Sequence, residues 1–368
     1  MNSHTAGTSS APTAQASKGG GRERLIELDV LRGLAALVVV LFHYTVRYDE
    51  LFTYASPPLF RVTQGFYGVE FFFGISGFVI FMTLDRSHKA MDFVVSRFSR
   101  LWPAYIAAMI LTFALVHLVG LPGREATFGQ ALVNLSMLQE LLGVAHVDGV
   151  YWTLQIELFF YAGMLLVFAL GLLSRIRLLV VLWLMVPVLY FAARVLLHRE
   201  LSYLAGELLI VRFSPFFAIG LAAYHLRKSS REPSSSGVYD LLLMVLAVVV
   251  AAVCLSPALG VVALCSSGVF YAVARGYLGW LARQPFVFLG TISYTLYLVH
   301  QNIGYIVIRE LLALGVTTNL AITLAVFASI GLAAGLTYAV ERPAMKWIRA
   351  WYRSGRDSVP RPSEATIA

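Results

Sequence analysis

Two residues in an otherwise apolar run carry the first chemical signal of this chain. Between Leu28 and Tyr44 the sequence reads Leu-Asp-Val-Leu-Arg-Gly-Leu-Ala-Ala-Leu-Val-Val-Val-Leu-Phe-His-Tyr, with Arg32 and His43 eleven positions apart. On an α-helix that separation is three turns and about 20°, so the two share a face, ~16 Å apart along the axis. A guanidinium and an imidazole inside a membrane span are costly, and such groups are read first as functional.

Further polar groups recur in the same setting. Glu70 stands in Gly68-Val69-Glu70-Phe71-Phe72, Glu157 follows Tyr151-Trp152-Thr153-Leu154, and His300 follows Tyr297-Leu298-Val299. Arg97 and Arg100 are three residues apart and project together if helical. Arginine pairs suit phosphates, because each guanidinium offers planar, bidentate donors. A neutral imidazole in a low-dielectric site can take a hydroxyl proton, and a nearby carboxylate can fix its tautomer. The pattern predicts group transfer from a small anionic donor to a polar acceptor. His43 with a carboxylate, Glu157 or Glu70, is the candidate acid–base pair, Arg32, Arg97 and Arg100 are candidate phosphate-binding groups, and His300 is a further candidate. Structural roles compete with each: membrane anchors for Arg97 and Arg100, an ion pair with Asp29 for Arg32, a helix-bridging bond for His43 and packing for His300. For Glu157 the competitor is an ion pair with Arg212, and for Glu70 solvation near the surface.

The elements that must position these groups are membrane helices. Of 368 residues 59% are hydrophobic and only 13% charged, about half the charged share of a soluble domain. Ten apolar segments can be drawn, at about 29–48, 66–84, 101–120, 151–173, 177–197, 207–226, 238–256, 258–275, 293–314 and 319–340, most near the ~20 residues a bilayer requires. With the N-terminus in the cytoplasm, 20 Lys and Arg residues fall at the inner side and six at the outer. That bias predicts cytoplasmic termini and explains the net charge of +8 as a topology signal, with no nucleic-acid partner. The expected fold is thus an all-α, polytopic bundle of about ten transmembrane helices. Residues 1–24 form a disordered tail, 25–345 the membrane domain and 346–368 a basic cytoplasmic tail. Phe128 to Val144, interrupted by Asn134, Gln139 and Glu140, reads as an amphipathic or re-entrant helix at the outer face. Cys254 and Cys265 read as small apolar residues, and scattered His and carboxylates give no metal site.

By these motifs in this order the chain resembles the acyltransferase-3 family of integral-membrane O-acyltransferases that modify bacterial surface glycans. The resemblance covers about residues 25 to 345. It rests on Leu28-Asp29-x-Leu31-Arg32-Gly33 with His43, Gly68-Val69-Glu70-Phe71-Phe72 through Ser76-Gly77-Phe78, and Arg97-x-x-Arg100 with Pro103. Tyr151-Trp152-Thr153-Leu154-x-x-Glu157, Ser293-Tyr294 with Tyr297-Leu298-x-His300, and Glu341-Arg342-Pro343 complete it. Thr153 stands where Ser is commoner in the family, and Glu70 where Asp is common. The resemblance implies transfer from cytoplasmic acyl-CoA, most often acetyl-CoA, to a sugar hydroxyl. Arg32, His43, Arg97, Arg100 and Glu157 occupy the family's functional positions, which makes His43 and Glu157 the expected catalytic pair and the three arginines the expected donor-binding groups. It further implies a multi-pass protein of the bacterial inner membrane, a glycan or lipid-linked saccharide as acceptor, and polysaccharide-assembly proteins as partners. Acylation of a small molecule such as a macrolide sugar uses the same chemistry, and a transporter of an acylated glycan or acid would also bury charges near the midplane.

Overall fold

The computed structural model describes residues 25–230 and 237–357. The tail expected over 1–24 lies outside them, as do residues 358–368. Among the described residues all regular structure is helical. The α-helices in chain order are α1 Ile26–Phe42, α2 Tyr48–Phe52, α3 Gly68–Asp85, α4 Ala90–Val119, α5 Phe128–Asn134, α6 Trp152–Ala169, α7 Ile176–Leu196 and α8 Tyr203–Leu208. They continue as α9 Ser214–Ser229, α10 Gly237–Val250, α11 Pro257–Arg275, α12 Gln284–Val299, α13 Gln301–Ala313, α14 Thr318–Leu336 and α15 Arg342–Asp357.

Among the described residues seven helical stretches are long and apolar enough to cross a bilayer: Thr63–Asp85, Ala90–Val119, Gly149–Ala169, Leu172–Leu196, Gly237–Leu255, Pro257–Arg275 and Thr318–Gly355. They carry exposed apolar stripes at helical spacing, such as Leu178, Leu182 and Leu189 on α7 and Leu242, Val245 and Val249 on α10. Exposed leucine and valine in such stripes suit lipid, so the chain is a multi-pass membrane protein. The other three segments expected to span differ in kind. They are α1, α9 and the α12–α13 pair, which is broken at His300. Two of them run through the interior of the bundle: α9 is buried at every position from Ser214 to Tyr224, and α12 and α13 are buried from Thr295 to Ile306. Candidate residues sit both on buried helices, as His300 does, and on helices that also face outward, as Arg97 and Arg100 do on α4.

Small residues set the central crossings. A Cβ on Gly33 would meet the Gly290 backbone, and one on Gly290 would overlap the Asp29 carbonyl, so α1 and α12 touch backbone to backbone. The same holds for α3 and α9 at Gly77, against Phe217, and at Gly220, against Gly74. In a membrane such close approach supplies the packing that hydrophobicity cannot. The α1–α12 crossing matters most, because it fixes the relative rotation of the helices that carry Arg32, His43 and His300.

The stretch from Phe128 does not cross. α5 is only seven residues long, opened by a capping box between Thr127 and Gln130, and turns follow it. The interrupting Asn134 is buried and binds the carbonyls of Gln130 and Ala145 and the N–H of Val147. The basic stretch from residue 346 is helical as far as Asp357, and α15 packs along the start of α4.

Candidate active site

Arg32, Arg97, Arg100 and Glu157 come from three helices and line one cavity of about 200 Å³. Ser76 of α3, Tyr161 of α6 and Tyr294 and Tyr297 of α12 are among the other polar residues that line it. Arg32 pairs with Asp29 one turn back, at 3.5 Å. Arg97 lies against the rings of Phe93 and Tyr161, about 6 Å from each centroid. Arg100 forms an ion pair with Glu341, which is 1% exposed, and lies 5.7 Å from the centre of the Tyr294 ring. Glu341 closes a π-helical turn, Thr337–Glu341, and the hydroxyl of Thr337 bonds that of Thr295 on α12 at 2.6 Å. The cavity thus concentrates guanidinium groups, each held by an aromatic face or a carboxylate.

His43 and His300 lie outside that cavity's lining and against each other. Their ring centroids are 4.8 Å apart, and His300 Nε2 is 3.3 Å from His43 Nδ1. His300 Nδ1 faces the carbonyl oxygens of Tyr297, at 2.8 Å, and Leu296, at 3.2 Å. Carbonyls only accept, so Nδ1 carries the proton and Nε2 of the neutral ring offers a lone pair. His43 Nδ1 faces that lone pair and the Val39 carbonyl at 2.9 Å, so it too is the protonated nitrogen. This assignment from hydrogen-bond partners leaves His43 Nε2 free to accept a proton. His43 also opens a π-helical turn, His43–Arg47, a distortion frequent at functional sites.

The backbone around His300 is fixed from several sides. The Tyr44 hydroxyl donates to the His300 carbonyl at 2.7 Å and bonds Ser329 at 2.6 Å; Gly304 leaves the space that the Tyr44 ring occupies. Asp148, fully buried, accepts from the N–H groups of Asn302 and Val150 and so ties the start of α13 to the start of α6. Burial pushes the Asp148 carboxyl up to about 6, against the pull of those two N–H groups and of Arg124.

The sequence pairing of Glu157 with His43 is not the one found. Glu157 accepts from Ser76 at 2.9 Å and from Tyr161, and His300 stands beside His43 instead. Spacing along one helix does not give Glu157 a partner on another. Its i+4 neighbour Tyr161 shares its face, and that face looks into the arginine cavity. Glu157 has no ion pair with Arg212, whose guanidinium lies over Phe213, 5.3 Å from the ring centre. Glu70 stands apart from both clusters. It is 3% exposed at the start of α3, not solvated, and its Oε2 has no hydrogen-bond partner. Glu341, Ser76, Tyr294 and Tyr297 stood in the motifs without a role; Tyr161 and Asp148 were outside them. Tyr297 joins the two clusters. Its hydroxyl contacts Thr153 at 3.0 Å, and its ring lies 5.6 Å from that of His300.

No solved structure matches the chain. Among curated proteins, "Putative acetyltransferase ORF330" of Acidianus two-tailed virus is 28% identical over 131 residues, covering 36% of this chain and 37% of the relative. "Protein 2 in picA locus" of Rhizobium radiobacter is 33% identical over 108 residues, covering 27% of this chain and 51% of the relative. The chain therefore spans between about a third and a half of the length of these relatives. The family comparison reaches further: residues 25–338 match the acyltransferase domain of the acyltransferase-3 type, from the start of α1 through α14, and the chain belongs to that family.

Proposed function

We propose that the protein transfers an acyl group from cytoplasmic acyl-CoA, with acetyl the first candidate, to a hydroxyl of a cell-surface or exported glycan, working in the bacterial inner membrane. The observation that carries this reading is the arginine cavity joined through Tyr297 to the His43–His300 pair. Arg97, Arg100 and Arg32 hold the anionic groups of the donor. A cavity of about 200 Å³ is smaller than the roughly 300–1,000 Å³ of a pocket enclosing a whole drug-sized ligand, so it takes only part of CoA. The arm then runs along α12 toward the histidines. The ~16 Å between Arg32 and His43 along α1 sets the distance it covers.

In the reaction, His43 Nε2 takes the proton of the acceptor hydroxyl as its oxygen attacks the thioester carbonyl. The carbon–sulfur bond breaks, the sulfur leaves as the CoA thiolate, and the imidazolium returns the proton to it. Positive charge on His43 is shared through Nδ1–H with the Val39 carbonyl and the lone pair of His300. Glu157, in the arginine cavity, holds Ser76 and Tyr161 in place beside the donor. A positioned general base of this kind contributes about 10²–10⁴-fold.

The test is release of CoA thiol by the purified protein in lipid nanodiscs, given acetyl-CoA and a candidate glycan. Mass spectrometry of surface glycans from deleted and complemented strains runs in parallel. The reading expects acceptor-dependent thiol release and loss of a glycan acyl group on deletion. His43→Ala should abolish both while the protein inserts normally. Wild-type transfer by His43→Ala would end the mechanism, and a new acyl group on a small molecule would replace the glycan as acceptor.

A further inference from the structure

The cavity has a fourth arginine that the family match does not reach. Arg349 lies on α15, beyond residue 338 where the match ends, and it lines the same cavity as Arg32, Arg97 and Arg100. Its placement is built. Nε donates to Ser99 Oγ at 3.1 Å, and an Nη reaches the Ser96 carbonyl at 3.4 Å, so the guanidinium is seated on the α4 turn that presents Arg97 and Arg100. One turn on, the Tyr352 hydroxyl donates to Asp92 at 2.9 Å and clamps α15 to the first turn of α4. The opposite side of α15 exposes Trp347 and Trp351, each about 70% accessible, as an interfacial helix does.

We propose that Arg349 is a donor-binding residue, contacting the phosphate groups of the acyl donor together with Arg97 and Arg100. This rests on the acyl-CoA reading above and deepens it. α15 enters at the inner side by the charge count, the side from which the donor comes. Arg349 adds a fourth guanidinium to the lining of one small cavity, and its seat on Ser99 and Ser96 holds it beside Arg97 and Arg100. A CoA-sized anion carries phosphates at more than one position, and Arg349 widens the set that reads them.

The experiment measures binding of CoA, and of pantetheine as a probe without phosphate, to wild-type protein in nanodiscs by calorimetry. Arg349→Ala and Arg349→Lys are compared with Lys346→Ala, which removes an equal charge from an exposed position of the same helix. Loss of a charge-assisted contact should weaken CoA binding roughly 10- to 100-fold in Arg349→Ala. Arg349→Lys, which keeps the charge but not the fork, should lose less. Pantetheine binding and the Lys346→Ala variant should be unchanged. If Arg349→Ala does not fold, the loss in Arg349→Lys relative to Lys346→Ala decides the matter. CoA binding by the Arg349 variants equal to wild type, with Arg97→Ala weakened, overturns this proposal and leaves the acyl-CoA reading standing. Wild-type protein that does not bind CoA overturns both.

Discussion

Replacing His300 by Phe isolates its contribution to the base. Phenylalanine keeps a ring beside His43 but has no lone pair, so His43 Nδ1–H is left with the Val39 carbonyl alone. The Tyr44 bond to position 300 goes to the backbone carbonyl and survives the change. His300 Nε2 stands at 3.3 Å from His43 Nδ1, farther than the Val39 oxygen at 2.9 Å, so it is the weaker partner of a shared proton. A hydrogen bond to a charged group contributes about 1.5–3 kcal/mol. At 3.3 Å the lower end applies, and ~1.5 kcal/mol lost only in the transition state is roughly tenfold in kcat. His43→Ala, by contrast, removes the base and its ~10²–10⁴-fold. The assay is steady-state thiol release in nanodiscs over a range of acetyl-CoA concentrations. His300→Phe should lower kcat about tenfold with donor KM unchanged, because no donor-binding group has moved. His300→Gln, which can present an oxygen near the position of Nε2, should recover part of the loss. A wild-type kcat in His300→Phe would refute the pairing. A loss confined to KM would move His300 into donor binding.

Three further outcomes follow from the same geometry. Arg100→Ala strands the buried Glu341 carboxylate, so it should cost about 3–5 kcal/mol of stability, seen as a lowered thermal midpoint that Arg100→Ala with Glu341→Gln largely restores. Gly290→Ala drives a methyl into the Asp29 carbonyl, a backbone atom that cannot swing away; a cost of ~3 kcal/mol is expected, together with lost transfer, because the α1–α12 crossing aligns the two histidines. Asp148 has a folded pKa of about 6, above its ordinary value of 3.8. Its contribution to stability is therefore full below its ordinary value and is lost as pH rises through about 6. The thermal midpoint of Asp148→Asn, measured against wild type, should shift in the variant's favour between pH 4 and pH 6; a constant difference would refute this.

What was legible in the sequence and what was not divide along a physical line. Arg97 and Arg100 meet because three residues on one helix is nearly a full turn. Helical character, the membrane setting and the weak status of the Phe128 stretch all follow from composition and spacing. Contacts between helices distant in sequence are a different matter. His300 meets His43 across the α1–α12 crossing that Gly33 and Gly290 allow, and Glu341 meets Arg100 from the far end of the chain. Rotation about a helix axis at such a crossing is set by packing, which no single-helix periodicity contains. Glu157 shows the limit from the other side: its residue type was readable, and the neighbours it takes in the arginine cavity were not. The buried α9 and the broken α12–α13 pair fit a length-and-apolarity template poorly because they are surrounded by protein, where polar atoms find partners and spans need not be uniform.

The Arg100–Glu341 pair bears on turnover. A guanidinium that already has a buried counter-ion gives an incoming phosphate only a share of itself, so on the acyl-CoA reading donor binding at Arg100 is an exchange of anions and not a simple capture. Such a site holds its ligand less tightly than a bare arginine would. It also has the displacing group in residence when the spent carrier has to leave. On the acyl-CoA reading, Glu341 limits product retention by competing at every cycle for the same cation.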